Sequence, residues 1–288
     1  MTIHYQIAEQ YLCMEHEDLG LLRQALGKYE AFVQDNIPEG VTPILTVLAD
    51  ASVAAEATDV EIEHVRDTFF ESRVARRSDG SFYLHITYQG RVVEGIASDD
   101  WRHLRLRADW ADLRYSYLID RLIMICFTMV TLPLGYLKVH ASVTELHGRA
   151  LVLMGVSGTG KSTHSRLWRQ YVPGCSLLND DEPIVRRVGD RVIVYGCPWS
   201  GSTPCYRNES AEVAAFVHLF QAPENKLTRM SGRQSFDSLF TSCAFMTSLP
   251  KNQYQVFDAV AKVLEVAPVY RLDNRPELAA VELTRTLI

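Results

Sequence analysis

From residue 136 onward, apolar and polar positions fall into short blocks with the spacing of strands, broken by tight turns. Leu137 to Thr144 is strand-like, and Leu146-His147-Gly148-Arg149 turns the chain straight into the apolar run Ala150 to Met154. So short a connection requires antiparallel pairing. After a glycine-rich stretch, Ser162 to Tyr171 carries Leu167, Trp168 and Tyr171 at helical spacing, and Pro173-Gly174 stops the helix. Ile184 to Val188 and Arg191 to Tyr195, joined by Gly189-Asp190, predict a second hairpin. Pro268 to Leu272 predicts a late strand, followed by a helix from Pro276. The expected fold class is therefore α/β with a mixed sheet.

The first third is less regular. Leu19 to Val33 reads as helical or mixed, Pro43 to Leu48 as a strand, and Ser81 to Tyr88 with Arg91 to Ile96 as a hairpin turned by Gln89-Gly90. Leu113 to Thr131 predicts a helix tying this portion to the next, with a boundary near residue 110. Leu122 to Tyr136 is uncharged but contains Pro133 and Gly135 and lies between Arg121 and Lys138. It is shorter than the roughly 20 apolar residues a span requires. A buried core helix ending near Thr131, with Cys126 in the core, is the expectation.

The nine residues Gly155-Val156-Ser157-Gly158-Thr159-Gly160-Lys161-Ser162-Thr163 fit G-x-x-x-x-G-K-[ST]. In such a loop, glycine amides point inward at a polyphosphate, the lysine reaches its outer phosphates and the first hydroxyl holds Mg²⁺. Strand, loop and helix follow in the required order, and the helix N-terminus adds partial positive charge.

The net charge of −6 argues against a general nucleic-acid binder. Residues 1–60 hold ten Asp and Glu against Arg23 and Lys28, so a phosphate ligand is expected elsewhere. Arg73, Arg76, Arg77, Arg91, Arg102, Arg105 and Arg107 form either a solvated basic face or a surface for an acidic partner. The six cysteines show no C-x-x-C pair and no zinc spacing. With no signal peptide in view, reduced thiols and a cytoplasmic location are the expectation, without membrane or nucleic-acid partners.

Apolar residues also lead into Asn179-Asp180-Asp181-Glu182 just after the predicted helix. There one carboxylate can hold Mg²⁺ opposite Ser162 while a second orients an attacking hydroxyl and accepts its proton. His140, on a strand hairpinned to Val152-Leu153-Met154, can reach the mouth of the loop. His147 reads as a turn residue and His164 as a helix-surface one. The Gly196 to Cys205 stretch reads equally as a substrate loop or a structural one, and Arg207 beyond it can stabilise transferred phosphoryl charge.

Together, His140, Gly155 to Thr163 and Asp180-Asp181 resemble the HPr kinase/phosphorylase catalytic domain. Ser157-Gly158-Thr159-Gly160-Lys161 followed by Asp180-Asp181-Glu182 is similar to the ATP-dependent phosphoenolpyruvate carboxykinases. The first likeness covers roughly residues 136–285; no counterpart of its glycine-rich signature follows the second hairpin. The resemblance implies a mixed-sheet P-loop kinase domain over 111–288 with a smaller α+β domain over 1–110 for substrate or partner recognition. It implies ATP and Mg²⁺ as cofactors. Asp180 is then the general base, Asp181 and Ser162 hold Mg²⁺, Lys161 binds the β/γ-phosphates and His140 lines the centre. The acceptor is a hydroxyl, serine first, of a peptide, protein or small metabolite, and a homo-oligomer is compatible with the family. A nucleotide-dependent switch without phosphotransfer, and a phosphorolytic enzyme running in reverse, use the same loop.

Overall fold

The computed structural model describes residues 1–201 and 203–288. The chain divides into two units, Met1–Pro133 with Met246–Pro250, and Leu134–Phe245 with Lys251–Ile288.

The first unit contains β1 (Thr2–Ile7), β2 (Gln10–Glu15), α1 (Leu19–Ala25), β3 (Val33–Gln34), β4 (Leu45–Ala49), β5 (Val60–Arg66), β6 (Phe70–Arg76), β7 (Phe82–Tyr88), β8 (Arg91–Ala97), β9 (His103–Arg107) and α2 (Ser116–Thr131). Its sheet runs β3-β1-β2-β4-β9-β8-β7-β6-β5, with β4 parallel to both neighbours. The β7–β8 hairpin pairs Tyr88 with Arg91, and Gln89 and Gly90 both take positive φ, as a two-residue I′ turn requires.

α2 ends at Thr131, and Cys126 within it is fully buried. Its apolar side packs on β7 and β8, so the division falls after Pro133 rather than near residue 110. The stretch Leu113–Leu134 is long and apolar enough to cross a membrane, and 72% of its apolar window is buried inside the fold.

The second unit contains β10 (Tyr136–Lys138), β11 (Ala141–Leu146), β12 (Arg149–Met154), α3 (Lys161–Tyr171), β13 (Ser176–Asp181), β14 (Ile184–Val188), β15 (Arg191–Tyr195), β16 (Ser210–Gln221), β17 (Lys226–Arg229), α4 (Arg233–Phe240), α5 (Pro250–Leu264), β18 (Val269–Asn274) and α6 (Leu278–Arg285). Its sheet runs β10-β14-β15-β16-β12-β11-β13, with β18 also on β16 and β17 on β18. The β12–β16 and β16–β18 pairs are parallel and the others antiparallel. The predicted mixed sheet with hairpins is therefore present.

One predicted strand is split. Val139 and His140 separate β10 from β11, so His140 stands at a strand junction rather than within a strand. α3 buries Leu167 and Trp168 against Leu151, Leu153, Val217 and Leu219, a core that also holds Leu272 and Val281.

Candidate functional site

β12 and β13 flank β11, with Ala141 opposite both Met154 and Asp181. This register brings the end of β12, where the glycine loop starts, beside the end of β13, where the two acids lie. Gly155, Gly158 and Gly160 all have positive φ, and a Cβ on Gly158 or Gly160 would meet nothing within 4 Å. α3 starts at Lys161 without a side-chain cap on its first turn. An open glycine turn leading into an uncapped 11-residue helix leaves amide N–H groups for an anion. Buried Ser165 fastens the helix from behind, its Oγ lying 2.7 Å from Ser142 Oγ on β11.

A cavity of about 350 Å³ opens here, lined by His140, Ser157, Lys161, Thr163, Asp180 and Asp181 with loop glycines and Ser162. Lys161 Nζ donates to Gly155 O at 2.8 Å and lies 2.9 Å from His140 Nε2. Burial pulls the Lys161 ammonium below its usual pKa, and the charges of Asp181 and Asp180 oppose that shift. His140 Nδ1 is 3.0 Å from Asp181 Oδ1. With Lys161 as donor, Nε2 accepts and Nδ1–H is the donor to Asp181.

Ser162 Oγ donates to Asp180 Oδ1 at 3.1 Å. The expected partnership of Ser162 with Asp181 is thus not the contact the structure holds; Asp181 faces His140 instead. Asp180 is 4% exposed, whereas the Asp181 side chain is 31% exposed. Asp181 also has φ +113, a strained backbone costing about 1–3 kcal/mol in a non-glycine residue.

The Gly196–Cys205 stretch reaches this end of β13. Gly201 N donates to Asp180 O at 2.6 Å and Ser200 Oγ to the same carbonyl at 2.9 Å. Asn179, fully buried, donates from Nδ2 to Trp199 O at 2.9 Å and fixes the loop from behind. Ser202, within that stretch, lies outside the described residues. Sequence reasoning passed over Asn179, although an amide between an apolar run and two acids is the available signal.

Two further expectations differ from the structure. Arg207 is not brought to the cavity: it pairs with Glu209 and donates to Ser176 Oγ and Leu177 O, at the opposite end of β13. At strand rise, that end is about 16 Å from Asp181. His164 is not a surface residue. It is 1% exposed, with Nε2 3.1 Å from Thr284 Oγ1, which also accepts from Trp168 Nε1. His147 does sit in the β11–β12 turn, at positive φ with Gly148.

The cavity suits a nucleoside triphosphate with a hard divalent cation. Ser162 and Asp180 offer oxygen ligands to a cation that prefers oxygen, and the loop amides with Lys161 suit the phosphates. No protein-family model and no curated protein matches the chain. Among solved structures, it is similar to the HPr(Ser) kinase/phosphatase from Coxiella burnetii. That likeness has 14% identity and a TM-score of 0.31, over 52% of this chain and 92% of that one. It is a weak resemblance at the level of fold.

Proposed function

We propose that the chain is a Mg²⁺- and ATP-dependent kinase that transfers the γ-phosphoryl group to a hydroxyl, serine first, of a peptide, protein or small metabolite. One observation carries this reading. The loop lysine and serine share a single cavity with two carboxylates and a histidine. Phosphoryl transfer needs positioning and charge neutralisation above all, and such a cavity supplies both.

The loop amides and Lys161 hold the donor's phosphates. Ser162 and Asp180, already in contact, are the residues that would hold Mg²⁺. When bound, that ion neutralises charge on the phosphoryl oxygens. Asp181 is left to orient the acceptor hydroxyl and take its proton. Its Oδ1 accepts from His140, and Oδ2 remains for the acceptor. His140 in turn keeps Asp181 aimed and accepts from Lys161 Nζ.

Labelled ATP with candidate hydroxyl acceptors provides the test. Asp181→Asn is expected to abolish phosphoproduct while sparing Mg-ATP binding, whereas Asp180→Asn weakens both, with the loss sensitive to Mg²⁺ concentration. Wild-type turnover in Asp181→Asn overturns the assigned base. Stoichiometric ATP binding by the wild-type chain with no phosphoproduct from any acceptor overturns the kinase in favour of a nucleotide-dependent switch.

A further inference from the structure

A second cavity, of about 560 Å³, opens where β16, β17 and β18 meet α4. Its position relative to the phosphate loop follows from register. Met154, which leads into the loop, pairs with His218, and His218 pairs with Arg271. Three parallel strands therefore end side by side, and in open α/β sheets ligands gather at such carboxyl ends. Gln221, last residue of β16, donates from Nε2 to Gly158 O at 3.0 Å, so this strand end touches the loop itself.

Side-chain alternation sorts the sheet faces. Leu219 and Leu272 enter the core with α3, whereas His218, Phe220, Arg271 and Asp273 line the cavity. His218, Phe220 and Arg271 form a stack of flat groups. The His218 and Phe220 rings are 4.8 Å apart and 18° from parallel, and the Arg271 guanidinium lies 4.0 Å over Phe220. The stack carries little net charge. Asp273 accepts from Arg271 at 2.6 to 3.1 Å. His218 Nδ1 is 2.6 Å from Ser238 Oγ on α4, and burial with the charges of Arg271 and Lys161 favours its neutral form. The walls also carry Lys226, Arg229 and Asp237 with hydroxyls from Thr228 and Ser238, and the flat stack among them suits a planar heterocycle.

We infer that this second cavity binds the base and ribose of the nucleotide whose phosphates occupy the glycine loop, the base stacking on the layer built by His218, Phe220 and Arg271. The inference rests on the kinase reading only in requiring a nucleotide at the loop.

Titration calorimetry with two probes, Mg-ATP and Mg-tripolyphosphate, separates the two claims. The wild-type chain is expected to bind ATP at least about tenfold more tightly than tripolyphosphate, the scale of one stacking contact. Arg271→Ala removes the guanidinium. Thr228→Trp fills the cavity from an exposed strand position, where the fold tolerates it. Both are expected to close the gap by weakening ATP alone. Equal wild-type affinity for the probes, an unchanged gap in both variants, or parallel loss of both probes overturns the base site. A wild-type chain that binds neither probe overturns the phosphate-loop reading, and this inference with it.

Discussion

In Met1–Pro133 several acidic side chains meet cations within the fold: Asp50 holds Arg105, Glu94 holds Arg107, and Asp120 holds Lys28. The arginines scattered through residues 70–107 are mostly held in this way, Arg73 by Glu71 and Arg77 by Glu56 and Asp59. In Leu134–Phe245 a different arrangement stands at the end of β13. Asp180 and Asp181 share one cavity wall with Lys161, Ser162 and His140. Both units use nine-stranded sheets, so architecture does not separate them. What separates Asp180 and Asp181 from these pairs is that their carboxylates also stand beside open space for a ligand.

Exchanging charged groups between the two kinds of setting breaks the comparison most directly. Lys161→Met is expected to lower phosphotransfer by about 10³-fold, the scale of losing one preorganised electrostatic donor, with the denaturation midpoint near wild type. A burial-depressed ammonium contributes little to folding. Asp120→Ala should do the reverse. Asp120 is buried between Lys28 Nζ at 2.6 Å and Tyr29 Oη at 2.8 Å, so the variant leaves a part-buried lysine and a buried hydroxyl without their partner and costs about 1–3 kcal/mol. Urea unfolding with turnover per folded molecule reads both. A stability loss in Lys161→Met, or a turnover loss in Asp120→Ala, contradicts the division.

His164 gives the next largest effect. Burial holds its pKa at about 4, against an ordinary 6.5. As pH falls from 6.5 to about 4, the unfolded chain binds a proton that the folded chain refuses. Stability therefore declines with falling pH across that window, by about 3 kcal/mol in total, and the term is flat above it. Replacing the ring with His164→Asn should remove this slope from urea midpoints measured across the window. A slope kept in the variant assigns the acid sensitivity to other groups.

The reach of the sequence can be read from the same residues. Strand, loop and helix from Ala150 to Tyr171 were legible, because glycine punctuation and helical spacing are local signals. The hairpins at Gln89-Gly90 and Gly189-Asp190 were legible for the same reason. The long strand β16 was not. Burial alternates along Ser210–Gln221, but the face away from α3 carries Phe216 and Phe220 beside His218, so polar alternation in the sequence is weak. His164 was misread although the signal existed: it precedes Leu167 and Trp168 by three and four residues, which places it on the buried face. Arg207 was attracted to the site by its charge type, and only the strand's direction shows which end it serves. The contact of Ser162 with Asp180 rather than Asp181, and the positive φ of Asp181, are tertiary facts that no spacing rule reports.

The smallest effect sharpens the comparison with the least chemistry, since it adds one methyl group to each unit. A Cβ on Gly201 would lie 3.0 Å from Asp181 Cβ and 3.4 Å from its Oδ2. Gly201→Ala should therefore shift the carboxylate and lower turnover about tenfold, because misplacing a reacting group costs rate steeply. The fold should barely respond, since Asp181 is partly exposed and can give way. A Cβ on Gly95 of β8 would instead lie 2.9 Å from Leu104 Cδ1 and 3.2 Å from Leu122 Cδ1, both buried. Gly95→Ala should cost about 1–3 kcal/mol of stability through overpacking, and turnover per folded molecule should hold. If both variants change the same observable, the methyl groups are reporting packing alone, and the cavity beside β13 loses its distinction from an ordinary interior.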